Sequence, residues 1–107
     1  MPLDLDEARK KELVDILAGD LIVLRAKSGV SQDELSKSIG ISRQTYQAIE
    51  TGKRRMTWRT YLALLLFFDY NALTHDMLRS LRVFPEEFQN AKQLIPDSVD
   101  STSERCE

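Results

Sequence analysis

A segment near the middle of the chain carries side chains suited to hydrogen bonding with flat polar edges. Tyr46 and Ile49 are apolar and spaced i, i+3, so they share the buried face of a helix that follows Ser42. At roughly 100° per residue, the opposite face carries Arg43, Gln44, Gln47, Ala48 and Thr51. Arginine and glutamine make bidentate hydrogen bonds to guanine and adenine, and alanine or threonine can contact the thymine methyl group. We therefore expect this face to read base edges in DNA, although taken alone it is equally typical of a solvated helix.

A dense run of basic residues follows directly after this face. It consists of Lys53, Arg54 and Arg55, with Arg59 one turn into the next predicted helix. Residues 20–62 carry eight basic and four acidic side chains, whereas residues 1–19 carry three and five and residues 63–107 carry four and eight. Basic side chains release condensed counterions from DNA, which supplies the sequence-independent part of affinity. We expect this run to contact phosphates, and it can complement the C-terminus of the preceding helix at the same time.

Two short capped helices are predicted to position these side chains. Ser31 followed by Glu34 is a capping box that starts the first helix, and Gly40 supplies the positive φ that a sharp reversal requires. Ser42 caps the second helix, which ends before Gly52. Two helices joined by such a turn form a helix-turn-helix, whose second helix, the recognition helix, enters the DNA major groove.

A longer segment extends this pattern at fixed spacing. It reads LRAKSGVSQDELSKSIGISRQTYQAIETGKRRMT, and it resembles the DNA-binding domain of Xre/Cro-type, lambda-repressor-like regulators of phages and bacteria. The positions that carry the resemblance are Ser31, Gln32, Leu35, the turn at residues 39–42, Ile49, Glu50 and the run at residues 52–54. The similarity extends from about Leu21 to Leu65, and it implies a lambda-repressor-like DNA-binding domain.

The resemblance implies roles for individual residues. Arg43 and Gln44 would be the principal base readers, and the complete base-reading set would be Arg43, Gln44, Gln47 and Ala48. Gln32 would hydrogen-bond a phosphate from its helix N-terminus. Together with the basic run, the full set expected at phosphates is Gln32, Ser42, Thr45, Thr51, Lys53, Arg54, Arg55 and Arg59. Arg25 and Glu50 would form a partly buried ion pair that ties the first helix to the recognition helix.

Four residues depart from the family pattern. Tyr46 stands where a small β-branched residue is usual, Ser36 where alanine is usual, Ala48 where some relatives have a longer base-reading side chain, and Met56 where a proline often precedes the next helix. The first two departures indicate a slightly different wedge between the two helices. The docking angle and the recognised bases are therefore not transferred from the family.

The whole chain is predicted to be all-α, with five or six helices. The first runs from about Asp6 to Ser28, could bend at Gly19, and buries Leu13, Ile16, Leu17, Leu21 and Leu24. The fourth runs from Thr57 to about Phe68, the fifth from Thr74 to about Val83, and a short sixth begins at Pro85. The predicted organisation is an N-terminal helical extension (1–14), a helix-turn-helix domain (15–71), C-terminal helices (72–95) and a disordered tail (96–107).

The predicted fourth helix contains the run LALLLFF, which is too apolar for a simple surface helix. Leu62, Leu65 and Leu66 are expected to pack under the helix-turn-helix. The remaining apolar surface needs cover from helix five, from the N-terminal extension or from a second subunit, and the sequence leaves these alternatives open. The residues expected at a dimer or partner surface are Leu64, Phe67, Phe68, Met77, Leu78, Leu81 and Phe84.

Residues that could support catalysis or bind a metal are sparse. The single histidine, His75, has no cysteine nearby, the single cysteine is Cys106, and the four glycines form no phosphate-binding loop. We therefore expect no enzyme activity, metal, cofactor or small-molecule substrate. The longest apolar run is too short to cross a bilayer and no intramolecular disulfide can form, so a soluble cytoplasmic protein is expected.

These observations predict a sequence-specific transcriptional regulator that binds double-stranded operator DNA as a homodimer. A repressor of prophage, mobile-element or small autoregulated-operon type fits the pattern best. The alternative is an antitoxin-like or adaptor protein, which would bind operator DNA and hold a partner protein through its C-terminal helices.

Overall fold

The computed structural model describes residues 5–88, and within that part of the chain all regular structure is helical. The five helices are α1 (Glu7–Ser28), α2 (Gln32–Ile39), α3 (Arg43–Glu50), α4 (Trp58–Tyr70) and α5 (His75–Ser80). Residues 86–88 add a short helical turn. The predicted all-α fold is thus confirmed. The end of the predicted sixth helix and the predicted disordered tail lie outside the described residues.

Local capping determines where α2 and α3 begin. The Ser31 hydroxyl accepts a hydrogen bond from the Glu34 amide at 3.0 Å, and the Glu34 carboxylate accepts one from the Ser31 amide at 2.8 Å. Ser42 caps α3 by accepting from the Thr45 amide at 3.0 Å. These bonds satisfy amide groups that have no partner inside the helix, so the predicted starts of both helices are confirmed.

Glycines in the left-handed region end the same two helices. Gly40 has φ 81° and Gly52 has φ 83°, a region that residues with a Cβ enter only at a cost. Beyond Gly40, the Ile41 amide donates to the Ser36 carbonyl at 3.0 Å. Beyond Gly52, the Lys53 amide donates to the Ala48 carbonyl at 2.9 Å. These backbone bonds close each helix, and the one beyond Gly40 also sets the short loop between α2 and α3.

One hydrophobic core holds the helices together. The inner face of α1 contributes Leu13, Leu17, Leu21 and Leu24, all fully buried. Against it pack Leu35 of α2, Tyr46 and Ile49 of α3, Tyr61, Leu64, Leu65 and Phe68 of α4, and Leu78 of α5. Helix α1 runs unbroken past residues 14 and 19, so Gly19 does not interrupt the helix. Its first half is part of this core, to which it contributes Leu13 and Leu17.

The buried face of α4 differs from the predicted one. Leu66, expected beneath the helix-turn-helix, is 59% exposed. Leu64 and Phe68, expected at a dimer surface, are fully buried within the chain, as is Leu78 of α5. The predicted dimer surface is therefore wrong for these three residues, because α1 and α5 already cover that side of α4. The other members of the predicted set, Phe67, Met77, Leu81 and Phe84, are partly buried against the core.

The chain after α4 also differs from the prediction. Thr74 does not cap α5; its hydroxyl is buried and donates to the Phe68 carbonyl at 2.7 Å. Helix α5 ends at Ser80 rather than near Val83. The following segment folds back onto α4 and α1, since the Val83 carbonyl accepts from the Tyr61 hydroxyl of α4 and Glu87 pairs with Arg9 of α1 at 3.1 Å. These contacts tie residues 83–87 to the rest of the domain.

Candidate nucleic-acid interface

The exposed face of α3 carries the predicted base-reading residues. Arg43, Gln44 and Gln47 are exposed and Ala48 is half-buried, while Tyr46 and Ile49 point into the core. Within residues 5–88, the side chains of Arg43, Gln44 and Gln47 make no hydrogen bond or ion pair. Their donors and acceptors are therefore available to a ligand. Bidentate hydrogen bonding by one arginine and two glutamines is the chemistry that distinguishes guanine and adenine in the major groove.

A shallow depression of about 230 Å³ joins this face to the basic run. Its walls are Gln44, Gln47, Ala48, Thr51 and Lys53. The Thr51 hydroxyl donates to the carbonyls of Gln47 and Ala48 at 3.0 and 3.3 Å, so its proton is committed and only its oxygen can accept from a ligand. The structure therefore places Thr51 beside the base readers but does not leave it as a donor for phosphate.

A second depression, of about 330 Å³, lies between the N-termini of α3 and α4. Ser42 and Thr45 line it from the α3 side, Thr57 and Thr60 from the α4 side, and Arg54 and Arg55 lie between them. The Ser42 hydroxyl donates to the Thr45 hydroxyl at 2.9 Å. Helix N-termini carry partial positive charge, so the Thr45 hydroxyl, Arg54 and two helix ends converge where an anion would be stabilised, while the Ser42 proton is already donated to Thr45.

The members of the basic run differ in their availability. Lys53, Arg54 and Arg59 are exposed, and in the described part of the chain none of them pairs with an acidic group. Arg55 instead donates through Nη2 to Asp15 Oδ1 at 2.7 Å and to the Lys11 carbonyl at 3.3 Å. Both partners lie on α1, so Arg55 is partly neutralised and braces the loop after α3 against that helix.

The carboxylate of Glu50 brings Arg25 together with two residues that had not been linked to it. Arg25 donates through Nε to Oε2 at 2.7 Å and through Nη2 to Oε1 at 3.2 Å, which is the predicted pair. Gln32 donates its amide to Oε1 at 2.8 Å, and the Tyr46 hydroxyl donates to Oε2 at 2.6 Å. Only 5% of the Glu50 side chain is exposed. Gln32, expected at a phosphate, is therefore hydrogen-bonded to protein.

Opposing effects set the protonation of this cluster. Burial raises the pKa of Glu50, but the hydrogen bonds from Arg25, Tyr46 and Gln32 outweigh burial and hold that pKa below its ordinary value. Burial and the hydrogen bond to Glu50 raise the pKa of Tyr46, so its hydroxyl stays protonated as a donor. At neutral pH the cluster thus contains an anion, a cation and two neutral donors.

One of the two additional contacts could have been found in the sequence. Tyr46 and Glu50 are spaced i, i+4, which brings side chains together on one face of a helix. The contact from Gln32 could not, because it spans 18 residues and depends on how α2 lies against α3. Asp15 and Arg55 are 40 residues apart, and their pairing likewise follows from the packing of α1.

Residues 5–88 contain no group of three or more histidine, cysteine, aspartate or glutamate side chains placed to hold a metal ion. Among the same residues, no helix combines the length and apolar character needed to cross a membrane.

Comparison with known proteins identifies one family. Its sequence model, described as a helix-turn-helix domain, matches residues 16–72, more than half of the 107-residue chain. The match includes most of α1 and all of α2, α3 and α4. Comparisons with curated proteins and with solved structures give no match.

Proposed function

This chain belongs to the helix-turn-helix domain family, and from that membership we propose that it is a sequence-specific, Xre/Cro-type transcriptional regulator of double-stranded DNA. The observation that carries the proposal is the face of α3 on which Arg43, Gln44 and Gln47 are exposed and unengaged within the described residues. With α3 in the major groove, these side chains meet base edges. Ala48 adds an apolar contact suited to a thymine methyl group.

Phosphate contacts would surround this reading face. Lys53 borders it, while Arg54, Ser42 and Thr45 line the depression between the N-termini of α3 and α4. Such contacts fix the position of a protein on the duplex and supply salt-dependent affinity without reading sequence. Arg59 extends the basic surface along α4, and Arg55 contributes less because Asp15 competes for its guanidinium.

Repression is the regulatory outcome that this arrangement supports most simply. A domain that occupies the major groove over a promoter blocks polymerase without any further activity. The cytoplasm, where a prokaryotic or phage operator would be found, is the corresponding location.

A homodimer would match two-fold operators, whose half-sites are separated by about 34–36 Å in this class. The contact surface must differ from the predicted one, since Leu64, Phe68 and Leu78 are internal. We place it on the exposed side of α4 and on the turn that follows this helix, where Leu66, Tyr70 and Leu73 are 59%, 83% and 61% exposed. An apolar groove of about 480 Å³ runs beside Leu66 and Tyr70.

The antitoxin-like or adaptor alternative uses the same exposed apolar surface for a different protein. The two possibilities differ in stoichiometry. A regulator that dimerises through this surface binds its operator as two copies without any other protein, whereas an adaptor remains a monomer until its partner is added.

Selection from a pool of random DNA duplexes tests the proposed function. Full-length protein should enrich a motif whose half-sites have a defined sequence and spacing. Failure to enrich any motif, together with equally weak binding to every duplex at physiological salt, would contradict a role in sequence-specific regulation.

A further inference from the structure

A single buried carboxylate joins the three helices that present the reading face. Arg25 reaches Glu50 from α1, Gln32 reaches it from the first position of α2, and Tyr46 reaches it from within α3. We propose that Tyr46 and Gln32 are positioning residues which, through Glu50, fix the orientation of α3 and so determine its preference among DNA sequences. This inference rests on the proposed function.

The hydrogen bonds fill the capacity of the carboxylate. Each carboxylate oxygen has two lone-pair sites. Oε1 accepts from Gln32 Nε2 at 2.8 Å and from Arg25 Nη2 at 3.2 Å. Oε2 accepts from Tyr46 Oη at 2.6 Å and from Arg25 Nε at 2.7 Å. Because the group is almost fully buried, water cannot readily replace a lost donor, and each donor constrains where α3 can lie.

The location of these bonds makes them effective constraints on rotation. Tyr46 lies on the inner face of α3, three residues after Arg43 and one residue before Gln47 in the sequence. Glu50 is the last residue of the helix. A rotation of about 10° displaces an atom that is about 6 Å from a helix axis by about 1 Å. Hydrogen bonds tolerate a range of only about 0.5 Å in length. A small rotation of α3 would therefore disrupt base contacts while leaving the longer-range attraction to phosphates nearly unchanged.

Gln32 receives a different role from the phosphate contact expected of it. Its amide nitrogen carries the two N–H donors of the side chain, and one of them is directed to Glu50. A phosphate oxygen can only accept hydrogen bonds, so it could bind only the second N–H, in the position where the bond to Glu50 already holds that amide. As a positioning residue, Gln32 instead links the N-terminus of α2 to the C-terminus of α3.

The test of Tyr46 uses a matched pair of tyrosines. Tyr46 and Tyr61 are both fully buried, and each donates its hydroxyl to one acceptor, Glu50 and the Val83 carbonyl respectively. In the full chain, Tyr46→Phe should lower affinity for the selected duplex about tenfold, with less than about a twofold change for a scrambled duplex. Tyr61→Phe removes the same atom from a hydrogen bond to Val83, which does not involve α3, and should leave the ratio of the two affinities unchanged.

The test of Gln32 compares binding to the selected and the scrambled duplex. Gln32→Ala should reduce the ratio of the two affinities, whereas loss of a phosphate contact would weaken binding to both duplexes by the same factor. Lys53→Gln, the control, should lower the magnitude of the slope of log affinity against log salt by about 0.9 and keep the ratio. All variants are compared where circular dichroism shows them to be folded.

The outcomes separate this inference from the function on which it rests. If the wild type shows no preference for any duplex, the proposed function fails. If the wild type is selective and Tyr46→Phe keeps its full selectivity, Tyr46 is not a positioning residue. If Gln32→Ala weakens binding to both duplexes equally and keeps their ratio, as Lys53→Gln does, Gln32 contacts phosphate and its positioning role is overturned.

Discussion

Removing the guanidinium of Arg25 should destabilise the fold through Glu50. Breaking a buried ion pair by deleting one partner costs about 3–5 kcal/mol, because the other charge stays buried. Arg25→Met keeps much of the side-chain volume. Arg25 is 23% exposed, and Tyr46 and Gln32 remain as donors to Glu50. We therefore expect a loss at or just below the lower limit of that range, about 2–3 kcal/mol in the free energy of unfolding at pH 7.

The pH dependence identifies the cause of that loss. In the wild type, the pKa of Glu50 is held below its ordinary value, so its contribution to stability is present above about pH 4.3 and disappears as pH falls through the lowered pKa. Without Arg25, burial becomes the dominant effect and should raise the pKa of Glu50. The folded variant then gains from protonation, and the difference in stability between variant and wild type should narrow as pH falls from 7 toward 4.

Urea denaturation followed by circular dichroism at several pH values measures both quantities. Arg79→Met is the control, since Arg79 pairs with Asp69 at 3.0 Å but is 54% exposed. An exposed pair of this kind contributes about 0–1 kcal/mol. A loss for Arg25→Met that is no larger than that of the control, or one that stays constant with pH, would refute the reasoning about Glu50.

Three further predictions concern the reading face, the loop between α2 and α3, and the exposed side of α4. Arg43→Ala or Gln44→Ala should weaken binding to the selected duplex by about 1–3 kcal/mol and relax the preference at one base position. Fluorescence anisotropy with single-base variants of the duplex measures both effects. Equal weakening on all duplexes would contradict base reading. Gly40→Ala should lower the free energy of unfolding by about 1–2 kcal/mol because of its positive φ. Gly19→Ala should raise it by about 0.5–1 kcal/mol because Gly19 lies within α1 with open space around it. Thermal unfolding measures both changes in stability, and two changes of the same sign would contradict this prediction. Leu66→Glu should leave the protein folded but monomeric in analytical sedimentation. The control Ile22→Glu, at a similarly exposed position on α1, should keep the dimer. A dimer that survives Leu66→Glu would exclude this surface as the dimer contact.

Local chemistry explains why α2 and α3 could be predicted from the sequence. Ser31, Glu34 and Ser42 hydrogen-bond to backbone amides within three residues, and Gly40 and Gly52 adopt a conformation that is intrinsic to glycine. None of these features depends on distant parts of the chain. Because they also fix the register of α3, the division into inward and outward side chains of that helix followed directly.

Tertiary packing decided the features that the sequence did not reveal. Helix α4 is apolar on more than one side, so its pattern could not indicate that Leu64 and Phe68 face inward while Leu66 faces outward. The Thr74 hydroxyl could cap α5 or bond to a nearby carbonyl, and the position of Phe68 favours the second. The motif predicted that Arg55 contacts a phosphate. In the structure it pairs with Asp15, which reaches it because α1 extends alongside the loop.

The affinity of the full chain for its selected duplex, relative to a scrambled duplex of the same length at physiological salt, tests the central claim most directly. Sequence-specific regulators of this kind bind their sites about 10³–10⁷ times more tightly than other DNA. We predict a ratio of at least about 10³, which Arg43→Ala lowers by more than Lys53→Gln does. A ratio close to one for the wild-type protein would contradict sequence-specific recognition by α3.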